Sequence, residues 1–281
     1  LSAPDAVTQT LIDNCRRPNA PDCMPLCLHV SKMQVGSSIA HCELHPDRDG
    51  FVQVHVGTTT YCPGGRRPEG LILASSEEDR GGSSVGHWFA RLAEMEEASV
   101  PAFTRLGAEL TAHGAPPALI TAAAGAVRDE IRHTRVATAL ARRYGARPRF
   151  GRVSFGGARS LEEVAVENAA EGCVRETHGA VVALWQSRNA ADPVVRRALA
   201  RIAEDEIRHA AIAWGVRRWA DDALTTAARR RVRAAERHTV AMLAVEAMDD
   251  PSPSVRDTAG LPDTTTSSLL LHRLGETFWR C

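Results

Sequence analysis

Polar and apolar residues alternate over Phe51–Val56, and from about residue 85 onward the apolar positions recur every three to four residues. The first pattern is that of a half-buried strand, the second that of amphipathic helices. Helix 1 is expected over 85–113, where Phe89, Leu92, Met95, Ser99, Val100, Phe103, Leu106 and Leu110 form one stripe that stops at His113-Gly114 and Pro116-Pro117. Helix 2, over 117–144, carries Leu119, Ala123, Val127, Ala137 and Leu140 on its apolar face. The Gly- and Arg-rich stretch 145–160 reads as a long crossover, with Phe150 and Phe155 packing across an end of the helices. Helix 3 is expected over 160–190, opened by Ser160 with Glu163 at the capping-box position. It shows two apolar stripes, one through Val166, Ala170, Cys173, Thr177 and Val181, the other through Val164, Glu167, Glu171, Val174, His178, Val182 and Trp185. Helix 4, over 192–219, starts at Asp192-Pro193, and a fifth helix is expected over 222–249. After Pro251 the pattern reads as loop with a short apolar turn at Leu269–Leu271.

Several of these stripes contain charged residues. At 100° per residue, Glu96 falls inside the stripe of helix 1, while Glu94 and Glu97 fall outside it. Glu130 and His133 lie in the stripe of helix 2, and Glu206 and His209 in that of helix 4, beside Val195, Leu199, Ile202, Ala210 and Ala213. A carboxylate on an apolar face is costly unless it is paired or bound to a cation. The pentapeptide Asp129-Glu-Ile-Arg-His133 recurs 76 residues later as Asp205-Glu-Ile-Arg-His209. Residues three apart share a helix face, so each copy aims one carboxylate and one imidazole at a common point.

Spacing extends the repeat. Glu96 precedes Glu130 by 34 residues and Glu171 precedes Glu206 by 35, which gives two helical hairpins of similar size. Paired about a pseudo-twofold axis, they bring four carboxylates and two imidazoles together, a donor set suited to two divalent ions of the iron or manganese kind. Asp129 and Asp205 sit about 40° from the histidine of their own helix, placed to accept the free N–H of the histidine on the facing helix. Arg132 and Arg208 are expected either to pair with a nearby carboxylate or to face water, with water preferred for both.

The N-terminal quarter has a different character. Cys15, Cys23, Cys27, Cys42 and Cys62 lie there, and Cys281 is the last residue. Six cysteines allow three disulfides with 15 connectivities. The competing reading is a zinc site of Cys23, Cys27 and Cys42 with His29, His41 or His45, but no second ligand pair at finger-like spacing accompanies it. Disulfides imply an extracytoplasmic setting, periplasmic or secreted, rather than a cytoplasmic one. A chain that begins at Leu1 fits a trimmed secretion signal or an arbitrary boundary. Cys173 is expected to be a small buried hydrophobe. The organisation read from these patterns is a Cys-rich region over 1–74 with some β structure, a linker over 75–84, a helical bundle over 85–250 and a tail over 251–281.

Composition adds exclusions. A hydrophobic content of 44% over 281 residues supports a sizeable core, and a formal net charge of zero points to neither nucleic acid nor an anionic membrane surface. No apolar run reaches the length needed to span a bilayer. Lys32 is the only lysine among 34 basic residues, a bias of the whole chain rather than of one site.

The two Asp-Glu-Ile-Arg-His boxes, Met95-Glu96-Glu97-Ala98-Ser99-Val100 and Glu171-Gly172-Cys173-Val174 resemble the ferritin-like superfamily of di-iron carboxylate proteins, most closely bacterial ferritin-like domains with a Cys-rich N-terminal extension. The likeness covers about 85–220, and Arg66–Leu71 adds to it. It implies a mainly α fold: a four-helix bundle with an extra C-terminal helix. It also implies Glu96, Glu130, His133, Glu171, Glu206 and His209 as ligands to two Fe ions, with Mn/Fe or Mn as alternatives. Glu167 and Glu176 stand as alternatives to Glu171, and His178 is either a further ligand or a group packed behind the ligands. Three functions follow. The first is an oxidase or oxygenase that takes dioxygen, an external electron donor and a small-molecule or peptide substrate. The second is ferroxidase or peroxide-scavenging activity, and the third an exported scaffold. Tyr61 and Tyr144 are the only tyrosines, and neither lies near the boxes.

Overall fold

The computed structural model describes residues 39–46, 52–58, 65–72 and 82–279. The chain divides into two units, Leu1–Tyr61 and Cys62–Cys281. In the first, β1 (Ile39–Pro46) and β2 (Val52–Thr58) form an antiparallel hairpin in which Cys42 stands opposite Val56; β2 includes Val52–Val56 of the expected strand, and Phe51 lies outside the described residues. Cys15, Cys23, Cys27, Cys62, Cys281 and His29 lie outside the described residues, and so does most of the expected linker.

The second unit is mainly helical. The two-residue strand β3 (Leu71–Ile72) pairs with β4 (Arg152–Val153). Between them run α1 (Ser84–Ala112) and α2 (Pro117–Arg143). Ser83 caps α1 by accepting the Gly86 N–H at 3.1 Å, and Pro117 opens α2 at a position that needs no amide donor. One continuous helical run, here α3, comprises Leu161–Glu167, a π-helical stretch Asn168–Glu176, and Thr177–Asn189. It starts at the expected capping box of Ser160 and Glu163. After it come α4 (Pro193–Ala223), capped by Asp192, and α5 (Thr226–Glu246). Among the described residues no helix is long and apolar enough to cross a membrane.

The tail departs from expectation. It forms two helices, α6 (Pro253–Ala259) and α7 (Thr264–Thr277). Their signals are local: Pro253 at the first turn of α6, Gly260 after its end, and Asp263 accepting the Thr266 N–H at 2.7 Å. Three threonines and two serines in succession lower the helix propensity of 264–268. Packing outweighs that weakness, because Leu271, Leu274 and Trp279 bury themselves against Val174 and Leu243. Phe150 and Phe155 stay largely exposed rather than capping the helices, and the Arg105 guanidinium lies over the Phe155 ring.

α1 packs along α2, the last part of α3 along α4, and α2 against α4. Phe103, Leu106, Leu110, Ala123, Ala126, Val164, Ile212 and Val216 form one apolar cluster drawn from all four helices. The segment before β3 is tied to α1 and α3. At Gly65, with φ +77°, an added Cβ would meet the Ser99 hydroxyl at 2.3 Å, so the chain needs glycine to approach α1. The next residue, Arg66, is fully buried, donates to both Glu167 oxygens at 2.9 and 2.8 Å, and accepts from Ser99 through its carbonyl.

Candidate metal centre

Four helices deliver side chains to one buried point. α1 brings Glu96, α2 brings Glu130 and His133, the end of the π stretch in α3 brings Glu176, and α4 brings Glu206 and His209. None of the six is more than 2% exposed. They fall into two overlapping groups, Glu96–Glu130–His133–Glu206 and Glu176–Glu206–His209, each with one donor atom per residue inside a 4.8 Å sphere of mutual distance. His133 Nδ1 stands 3.3 Å from Glu206, 3.5 Å from Glu96 and 3.7 Å from Glu130. His209 Nδ1 stands 3.1 Å from Glu130, 3.7 Å from Glu206 and 3.9 Å from Glu176. Glu130 and Glu206, one from each pentapeptide, thus reach both imidazoles.

Glu176 takes the place the spacing assigned to Glu171. Glu171 points elsewhere: it accepts the Arg67 N–H at 3.0 Å and faces Arg175 at 3.5 Å. Glu167 is held by Arg66, and His178 is buried near Glu246 and Arg175, where loss of hydration pushes its pKa down to about 4 and keeps it neutral. The physical reason is that the face of α3 turned to the site is made of Asn168, Gly172, Glu176, Gly179, Ala183 and Gln186, small and polar residues that no hydrophobic stripe marks. The two hairpins are also unequal in length. Glu176 precedes Glu206 by 30 residues, against 34 in the first hairpin.

Behind the imidazoles lies a second layer. His133 Nε2 is 2.9 Å from Asp205 Oδ2, and His209 Nε2 is 3.5 Å from Asp129 Oδ2. Each aspartate therefore sits on the back of the histidine from the opposite helix. Arg132 and Arg208 do not simply face water. Arg132 bridges Asp129 at 2.7 Å and Asp205 at 2.6 Å, while Arg208 contacts Asp205 closely and Asp129 at 3.3 Å. Both guanidinium groups are still about half exposed, at 52% and 56%. The sequence signal for this lattice was the repeat itself: Asp and Arg three apart on each helix share a face.

Comparison of the chain with models of known families, with curated proteins and with solved structures yields no match. The site therefore rests on its own chemistry.

That chemistry is unbalanced without a cation. Both oxygens of Glu96, Glu130, Glu176 and Glu206, and Nδ1 of both histidines, are buried without a hydrogen-bond partner. Buried polar atoms are ordinarily satisfied, and buried charges are paired or bound to metal. Burial, then repulsion from Glu130, lifts the Glu96 carboxyl to about 8, and burial lifts Glu176 well above the usual range. At Glu130 burial acts upward too, but the two imidazoles outweigh it and its pKa falls. His209 rises to about 10 although burial opposes it, because Glu206, Glu130 and Glu176 surround it. Donors sharing one small divalent ion at about 2.0–2.2 Å stand about 3 Å apart, close to the separations seen here. These buried Glu and His groups could hold a metal ion, and Glu130 and Glu206 lie near both imidazoles.

Proposed function

We propose that this chain is a ferritin-like di-iron carboxylate protein in which α1–α4 form a four-helix bundle and the centre activates dioxygen to oxidise an organic substrate. One observation carries the reading: six buried side chains from four helices converge with their donor atoms unsatisfied. Four carboxylates and two imidazoles are hard and borderline donors, which favour iron or manganese over softer metals. Iron in such a ligand set supplies electrons to dioxygen. The chain's own residues do the rest. Asp205, 2.9 Å from His133 Nε2, fixes which nitrogen of that imidazole faces inward. Leu92, Leu199 and Ile202 exclude bulk water from the side of Glu96 and Glu206.

The cavity on that side is only about 10 Å³. It has room for about one water at most. Its smallness favours a second reading, ferroxidase or peroxide reduction, in which no organic molecule reaches the centre.

Elemental analysis of the purified full chain, followed by anaerobic iron loading and exposure to oxygen, separates these. Two ions per chain, and a transient absorption whose decay responds to added organic molecules, support the oxidase. Accumulation of ferric iron well beyond two per chain supports the ferroxidase. A chain that binds no iron, manganese or zinc overturns both and leaves a scaffold. For the compartment, a thiol count on the unfolded chain gives about one free thiol if three bridges form and about seven if none does.

A further inference from the structure

On the outer side of His133, between α2 and α4, lies a cleft of about 270 Å³. Arg132, Arg197, Arg201 and Asp205 give it three guanidinium groups against one carboxylate, and Val136 and Ile202 give it apolar walls. Asp205 and Arg132 are already engaged with each other and with Asp129. Arg197 and Arg201 are not: both are exposed, and neither pairs with a carboxylate among the described residues. They lie four apart on one face of α4, where like charges repel. Two uncompensated cations held side by side at the mouth of a partly apolar cleft call for an anion.

The internal repeat sharpens the point. A shift of 76 residues carries Val136 onto Ile212 and Arg132 onto Arg208, so those positions are shared between the two halves. The same shift carries Arg197 back to Thr121 and Arg201 back to Gly125. The arginine pair is thus no part of the common scaffold and marks one side of the molecule only.

We propose that this cleft binds a small organic carboxylate, its head group between Arg197 and Arg201 and its apolar body along Val136 and Ile202. The cleft's volume of about 270 Å³ leaves room for a small organic molecule. A bare phosphate would leave the apolar walls unused. That such a ligand lies next to a reactive centre rests on the di-iron reading. That it binds does not.

Calorimetric titration of the full chain with octanoate tests this, with acetate, inorganic phosphate and octylammonium as comparators and metal content measured on the same samples. Octanoate is expected to bind one per chain and to weaken as salt rises. Acetate is expected to bind at least tenfold more weakly. The double variant Arg197→Ala/Arg201→Ala is expected to lose about tenfold in octanoate affinity with metal content and helicity unchanged. No binding of octanoate, equal binding of octylammonium or of phosphate, or an unchanged affinity in the double variant overturns the proposal. A metal-free chain that binds octanoate through the arginines sinks the di-iron reading alone, and a chain with two ions and no octanoate affinity sinks this one alone.

Discussion

Glu176 and Glu171 stand on the same helix, five residues apart, and their environments are opposite. Glu171 has a backbone amide and Arg175 for company, whereas Glu176 has nothing within hydrogen-bonding reach. Glu171→Ala should therefore keep both ions, and Glu176→Leu should lose at least one, by elemental analysis. The same Glu176→Leu change replaces an unsatisfied acid by an apolar group of similar bulk. It should raise the melting temperature of the chelator-stripped protein, by about 1–3 kcal/mol of stability, while the metal-loaded protein becomes less stable than its parent. The aspartates differ in a graded way. Asp205 holds His133 at 2.9 Å and Asp129 stands 3.5 Å from His209. Asp205→Asn should weaken metal binding by about 10–100-fold, and Asp129→Asn by less, in competition with a chromophoric chelator. Protons complete the residue-scale picture. Glu96, Glu176, His133 and His209 all have raised pKa values, so at neutral pH the metal-free site holds protons that ions must displace. Metal affinity should rise with pH through the region of about 8, where Glu96 titrates, and on toward about 10, where His209 does. Loading in unbuffered solution at pH 7 should release about two or more protons per site, read by a pH electrode. The residues legible in the sequence were those on apolar stripes: Glu96, Glu130, His133, Glu206 and His209. Glu176 was named only as an alternative because its helix face carries no hydrophobic signal.

At the scale of elements, α1, α2 and α4 were readable because each buries one continuous face, with Gly114 and Gly145 marking the ends of α1 and α2 and Asp192-Pro193 the start of α4. α3 was readable in its extent, expected over 160–190 and found over Leu161–Asn189, but not in its site-facing side, because it is covered on several sides and changes to π geometry where its polar residues cluster. Gly172 lies in that stretch. A Cβ there would meet the Ala213 methyl at 2.6 Å and Asn168 Oδ1 at 2.9 Å, and neither can swing aside. Gly172→Ala should cost about 1–3 kcal/mol and lower the melting temperature by several degrees. Gly107→Ala in α1 meets nothing closer than 3.8 Å and should instead be neutral or gain about 0.5–1 kcal/mol. The tail helices α6 and α7 went unread for another reason. Their caps are in the sequence, but their stability comes from burying Leu271, Leu274 and Trp279 on distant helices, with Trp279 also donating to the Cys173 carbonyl at 3.0 Å.

For the whole molecule, the internal repeat made legible the pairing of the two hairpins and the place of Asp129 and Asp205 behind the facing histidines, while the bridging of both aspartates by Arg132 and Arg208 showed only in three dimensions. Each arginine grips both aspartates, and each aspartate backs the imidazole that belongs to the other hairpin. Through this lattice the surroundings of one histidine are linked to those of the other. Seating the first ion should thus ready the second, and the loading isotherm should be cooperative, with a Hill coefficient above one. Replacing both arginines by alanine should cut that communication and leave two pockets that fill independently.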